Sequence, residues 1–159
     1  MKKLLIAGIA LVATTALLGA CGGSDDDKET KRRSTPATSA AATGPATVKT
    51  AQTGIGTVLV DADGKTLYLF ANDQGTTSAV PANILAAWPP LTVTGAPVAG
   101  EGVDKAKLAT AQQPDGQTYV TYNGHPLYRF SGDGSAGQTT GHKLGNVWYA
   151  VTPAGDQAP

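Results

Sequence analysis

The chain predicts a mainly β fold: a small compact domain of two tandem β-hairpin repeats with one short helix, preceded by a disordered tether. Three observations carry that expectation. Short runs rich in Val, Thr, Tyr and Phe, bounded by Gly, Asn and Asp, recur beyond residue 53, while helical periodicity is weak. All the aromatic residues lie in that same part, which is long enough for one domain around one small core. Finally, the segment repeats itself at an offset of 60 residues: Gly64 falls on Gly124, Leu67 on Leu127, Tyr68 on Tyr128, Phe70 on Phe130, Asp73 on Asp133 and Trp88 on Trp148.

The first 20 residues have the layout of a lipoprotein signal peptide. Lys2 and Lys3 precede an apolar run over 4–18, and Leu18-Gly19-Ala20-Cys21 supplies small residues before a cysteine. A membrane-spanning helix wants about 20 apolar residues, so the run is better suited to removal than to spanning. Cys21 is the expected lipidation site. It is also the chain's single cysteine, so the domain can draw on neither an internal disulfide nor a thiolate metal site.

Residues 21–52 read as the lipidated cysteine followed by a flexible linker. Ser, Thr, Ala, Pro and Gly dominate, a composition that buries too little apolar surface to offset ordering entropy. A linker of about 30 residues spans roughly 30 Å r.m.s., which would hold the domain off the membrane.

The folded part is expected over 53–159, with one repeat over about 57–92 and the other over about 117–152. Each copy reads as a hairpin. In the first, strands over 57–60 and 66–70 flank the turn Asp61-Ala62-Asp63-Gly64. In the second, strands over 118–122 and 126–130 flank Asn123-Gly124, a pair suited to the positive φ angles of a type I′ turn. Pro126 belongs at a strand start or on an edge. Tyr68 and Phe70 share one face of their strand, Leu67 and Leu69 the other, so both faces need cover. The candidate helix is 81–88: Pro81 suits a first turn, Ile84, Leu85 and Trp88 share a stripe, and Pro89-Pro90 ends it. A last strand over 146–152 carries Trp148.

Leu-Tyr-x-Phe-x-x-Asp thus occurs twice. Trp88-Pro89-Pro90-Leu91 follows the first copy, and Gly141-x-x-Leu144-Gly145-Asn146-Val147-Trp148-Tyr149-Ala150-Val151 the second. In these residues the chain resembles the bacterial secreted-lipoprotein repeat family, described by its Tyr-x-(Phe/Trp/Tyr)-x-x-Asp motif. The resemblance covers about 57–153 and implies an exported, lipid-anchored protein, but no activity. Members often carry a Cys-x-x-x-Cys pair ahead of the Trp-Pro-Pro; Val80 and Ile84 stand there in this chain, so a redox role does not carry over.

Charge and motifs bound the function. Beyond residue 53 five basic residues stand against eight acidic ones, and no basic stripe exists for phosphates, so nucleic acid is not an expected partner. Tyr68, Asp73, Tyr128 and Asp133 are the candidate binding surface, as a two-fold pseudo-symmetric polar cleft. The structural alternative is that each Asp caps the turn after its strand while the aromatics form core. Asp61-x-Asp63-Gly64 faintly resembles a calcium loop, but Asn72 stands where the twelfth-position glutamate belongs, and a plain turn is expected. His125 and His142, with a carboxylate such as Asp133, make a minimal ligand set for copper, zinc or haem iron. No nucleophile elbow, triad order, phosphate loop or metalloprotease helix is present.

The expected function is a non-enzymatic binding or scaffolding module, without a cofactor. It would be lipid-anchored to the outer face of the cell membrane, with an envelope protein or cell-wall component as partner. The alternative is a metal- or haem-associated envelope protein in redox or metal supply. A cell-wall hydrolase using Asp73 and Asp133 ranks last.

Overall fold

A computed structural model describes residues 45–159. The signal peptide, Cys21 and the linker up to residue 44 lie outside the described residues. Eight short strands make up the domain: β1 (Thr47–Thr53), β2 (Gly56–Asp61), β3 (Tyr68–Phe70), β4 (Val98–Ala99), β5 (Leu108–Gln112), β6 (Thr118–Tyr122), β7 (His125–Pro126) and β8 (Trp148–Ala150). They form sheets in the orders β2-β1-β4, β3-β8 and β5-β6-β7.

The fold begins earlier than the composition suggests. Residues 47–52, read as tether, belong with Thr53 to strand β1, paired antiparallel with β2 from Val48 opposite Asp61 to Thr53 opposite Gly56. It lies between β2 and β4, and Val48 alone of its residues is fully buried, so its sequence carries almost no apolar alternation.

Both expected hairpins form. In the second, Asn123 (φ 50°) and Gly124 (φ 83°) make the two-residue turn with positive φ at both positions. In the first, the Asp61 N–H reaches over three residues to the Lys65 carbonyl (2.9 Å). That turn is one residue longer, and it corrects the gapless alignment. The Leu59 N–H donates to Val151 O and Leu59 O accepts from the Leu67 N–H; Val120 makes the same pair of bonds with Leu91 and Leu127. Leu59 therefore corresponds to Val120, while Leu67 corresponds to Leu127.

Those same bonds reveal a reciprocal strand exchange. The end of copy one, around Leu91, adds to the sheet of copy two, with Leu91 N–H to Leu127 O at 2.8 Å and Val120 N–H to Leu91 O at 2.8 Å. The end of copy two, β8 and Val151, adds to copy one: β8 pairs with β3, placing Phe70 opposite Trp148. Neither copy completes its sheet with its own residues.

The expected helix over 81–88 is instead a pair of tight turns. Ile84 N–H bonds Pro81 O and Ala87 N–H bonds Ile84 O, both at 2.9 Å. Nucleating a single helical turn is unfavourable, and the extended Pro89–Leu91 stretch is held in the other copy's sheet, which fixes Trp88 from the far side. The remaining helical structure is a 3-10 turn at Leu144–Asn146.

Alternation along the strands creates two apolar clusters. Leu59, Leu67, Leu69, Leu91, Val120 and Leu127 belong to one. Tyr68, Phe70, Trp88, Tyr119, Tyr128 and Trp148 belong to the other. Fully burying each such side chain is worth about 1.5–3 kcal/mol, so without disulfides these clusters carry the stability.

Candidate functional site

The repeated motif residues meet at the pseudo-two-fold centre of the second cluster. Tyr68, on β3, and Tyr128, just after β7, exchange backbone bonds, N–H to O at 2.8 and 2.9 Å. Trp88 and Trp148 stack beside them, ring centroids 3.8 Å apart and planes within 1°. Both tyrosine rings stand edge-on to tryptophans, Tyr68 to Trp88 and Tyr128 to Trp148, each at 5.3 Å.

The Tyr-x-Phe-x-x-Asp spacing has a geometric cause. After each Phe the chain turns back, Asp73 N–H bonding Phe70 O at 3.0 Å and Asp133 N–H bonding Phe130 O at 3.1 Å. Each carboxylate is thereby aimed at the tyrosine of the other copy. Tyr68 Oη donates to Asp133 Oδ2 at 2.5 Å, and Tyr128 Oη donates to Asp73 Oδ2 at 2.9 Å. The other carboxylate oxygens order the loops that follow: Asp73 Oδ1 accepts the Ala79 N–H (2.7 Å), and Asp133 Oδ1 accepts from the Thr140 N–H (3.0 Å) and hydroxyl (2.5 Å). Ser78 Oγ lies 2.6 Å from Tyr128 Oη.

This corrects the open polar cleft expected of these residues. Tyr68, Tyr128 and Asp133 are buried and Asp73 is half-buried, so the four side chains form a closed lock between the copies rather than a surface. Burial, reinforced by Asp133, pushes the Tyr68 hydroxyl well above the usual tyrosine range. Burial does the same for Tyr128, with Asp73 adding to it. The Asp73 carboxyl is also raised by burial, against the lowering effect of the Ala79 N–H and Tyr128.

A second tie crosses between the copies. Arg129 Nε bonds Asp61 Oδ2 at 2.6 Å, and Asp61 is 2% exposed. Asp61 Oδ1 accepts the Asp63 and Lys65 N–H groups, both at 2.9 Å. The stretch that faintly resembled a calcium loop is thus a turn closed by its own aspartate. Gln113, buried at the end of β5, reaches into copy one, accepting the Ser78 N–H (2.9 Å) and donating to Thr76 O (2.8 Å). Nothing in its local sequence, Gln112-Gln113-Pro114, distinguishes it from an exposed turn residue.

The histidines do not join Asp133. His142 Nδ1 accepts the Ala150 N–H (3.2 Å) and its Nε2 faces Pro159 O (3.1 Å). His125 lines a cavity of about 430 Å³ with Leu69, Ala71, Gly155, Asp156 and Gln157, and its Nδ1 is buried without a hydrogen-bond partner. Among the described residues no group of three or more His, Cys, Asp or Glu side chains could hold a metal ion. A second hollow, of about 210 Å³, lies between Val80, Leu85, Pro114 and Tyr119. Beside Asp115, the Tyr119 hydroxyl is pushed up to about 12, chiefly by burial. No helix among the described residues is long and apolar enough to cross a membrane.

A family model described as a secreted repeat of unknown function matches the chain twice, over residues 49–92 and 109–152. Both matches contain one complete motif, and the first begins inside β1. No curated protein and no solved structure matches the chain.

Proposed function

We propose that this chain, which belongs to the family of secreted repeats of unknown function, is a lipid-anchored binding or scaffolding module of the cell envelope with no chemistry of its own. The observation that carries this reading is the consumption of the motif by the fold. The residues that define each repeat, Tyr68 with Asp133 and Tyr128 with Asp73, are spent on holding the two copies together. A carboxylate that accepts a tyrosine hydroxyl and caps its own loop is poorly placed to act as a general base, which speaks against the hydrolase reading. A family described as secreted agrees with an extracytoplasmic site, and the Leu18-Gly19-Ala20-Cys21 pattern supplies the anchor.

Fractionating cells that express the full chain or Cys21→Ser, with labelled palmitate present, tests the anchor. The wild type should be labelled and sediment with membranes, and the variant should be unlabelled and released. An unlabelled wild type that stays with membranes would refute the anchor. Incubating the released protein with purified cell-wall sacculi tests the module. Saturable co-sedimentation points to a wall component, its absence to a protein partner, and release of wall fragments would overturn the non-enzymatic reading.

The second reading, a metal- or haem-associated protein, draws on the unpartnered His125 Nδ1. Titration of copper, zinc and haem against wild type and His125→Ala/His142→Ala decides it. Stoichiometric binding abolished by the double change would put this reading first.

A further inference from the structure

The two copies differ at one edge. The outer edge of β1 is covered from within the chain: Val98 N–H bonds Ala46 O (2.8 Å), Gly100 N–H bonds Val48 O (2.7 Å) and Thr50 N–H bonds Glu101 O (3.0 Å). Strand β5 is the counterpart of β1. Thr50 stands opposite Leu59 and Thr110 opposite Val120, and Leu59 and Val120 turn their backbone groups to the same partners in the two copies. Because Val120 spends its N–H on Leu91 and its carbonyl on Leu127, Thr110 points its own N–H and carbonyl away from β6. Gln112, opposite Thr118 whose carbonyl serves Val93, points outward in the same way. Among the described residues the Thr110 and Gln112 N–H groups have no partner, and Ala109, Thr110 and Gln112 are exposed.

An open edge is a template for another strand, and proteins ordinarily blunt one with charge, proline or a bulge. Leu108-Ala109-Thr110-Ala111-Gln112 has none of these within it. Its flanks have opposite sign: Lys105 and Lys107 precede the strand, the latter donating to Ala154 O, and Asp115 follows it. Asp104 accepts the Ala106 N–H and Asp115 the Gln117 N–H, both at 2.9 Å, and Asp115 also accepts the Tyr119 hydroxyl (3.1 Å). Two such strands laid antiparallel about Thr110 bring each Lys105 toward the other copy's Asp115 and place no like charges opposite each other within the strands.

We propose that the β5 edge is an interaction surface for a second copy of this chain, joined by antiparallel pairing of β5 with β5. The Thr110 residues exchange two main-chain bonds at the dyad, and each Gln112 N–H donates to the other copy's Leu108 carbonyl. One strand pair buries less than the roughly 1,000 Å² that a lasting interface needs, so the contact is reversible in dilute solution. It gains from confinement of copies on one membrane, a gain that rests on the anchor proposed above, which the Cys21 fractionation reads separately.

The test is cross-linking of full-length Thr110→Cys in cell membranes with a short bismaleimide. A product of twice the chain mass is expected. It should be lost when Gln112→Pro is added, since this removes an outward N–H and leaves the β5-β6 ladder intact, with the near-ultraviolet circular dichroism unchanged. Should Gln112→Pro disturb the fold, Gln112→Lys, on a side chain already exposed, serves as the blocking change. No product, a product with a protein of different mass, or a doubled product that survives blocking would overturn the pairing.

Discussion

The Tyr68 hydroxyl donates to the Asp133 carboxylate across 65 residues of sequence at 2.5 Å, and Tyr128 returns the bond to Asp73 at 2.9 Å. Each bond joins one copy to the other, so the repeated Tyr-x-Phe-x-x-Asp motif of this chain is a pair of crossed ties about a pseudo-two-fold axis. A short motif repeated in sequence thereby becomes a contact between repeats, which a single copy could not make.

Removing one hydroxyl should cost unequal amounts at the two ties. Tyr68→Phe takes a donor from Asp133, which is 4% exposed, and should destabilise by about 1–3 kcal/mol because a buried acceptor is left short. Tyr128→Phe should cost less, about 1 kcal/mol, because half-buried Asp73 can recover a water bond. Denaturant unfolding of the two variants measures both. Equal costs would mean that burial of the acceptor does not set the difference.

The same hydroxyls predict an alkaline limit. Both tyrosines have folded-state values raised above the ordinary value of 10.0. Their contribution to stability is therefore complete below pH 10 or so and is lost as pH rises toward the raised values, since the unfolded chain releases protons first. Absorbance at 295 nm, followed beside circular dichroism, should show two tyrosines that ionise only as the domain unfolds. Ionisation of all the tyrosines while the dichroism stays native would contradict the lock.

What was legible in the sequence was local. Asn123-Gly124 specified its turn, and alternation about Tyr68 and Phe70 specified two buried faces, because these depend on neighbours in the chain. The exchange of Leu91 and Val151 was hidden, since a strand's own residues do not say which sheet it joins. Strand β1 was hidden because its Thr, Lys and Gln residues, half-buried but for exposed Gln52, imitate a tether. The stripe of Ile84, Leu85 and Trp88 suggested a helix, but Trp88 is held against Phe130 and Trp148 of the other copy while the residues before it make only tight turns. Of the two readings of Tyr68, Asp73, Tyr128 and Asp133, the structural one, with each Asp capping the turn after its strand and the tyrosines in the core, matches the geometry. The bond from each tyrosine to the other copy's aspartate was hidden, because spacing within one copy does not say what faces it from the other.

The tryptophan stack should be as costly to break from either side. Trp88 and Trp148 are 2% and 4% exposed, and truncation of either to alanine should cost about 3–5 kcal/mol. Stacked indoles 3.8 Å apart also couple optically, so near-ultraviolet circular dichroism should lose the coupled signal in each single variant. A cost below about 1 kcal/mol would place these rings on a surface instead of in the core.

Strand exchange makes the two copies one folding unit even when the chain between them is cut. The connection through Glu101, Gly102, Asp104, Lys105 and Ala106 is exposed, and a protease site placed after Ala106 should be cleaved in the native protein. The nicked halves should then stay together, because β8 remains paired with β3 and Leu91 remains bonded between Leu127 and Val120. Separated in denaturant, neither half should fold by itself, since each lacks the strand that closes its sheet and the carboxylate that satisfies its tyrosine. Remixing should restore the near-ultraviolet signal at one-to-one stoichiometry. A half that folds alone as a monomer would show that the exchange is incidental to stability, and halves that fall apart on cleavage would place the binding energy in the connection itself.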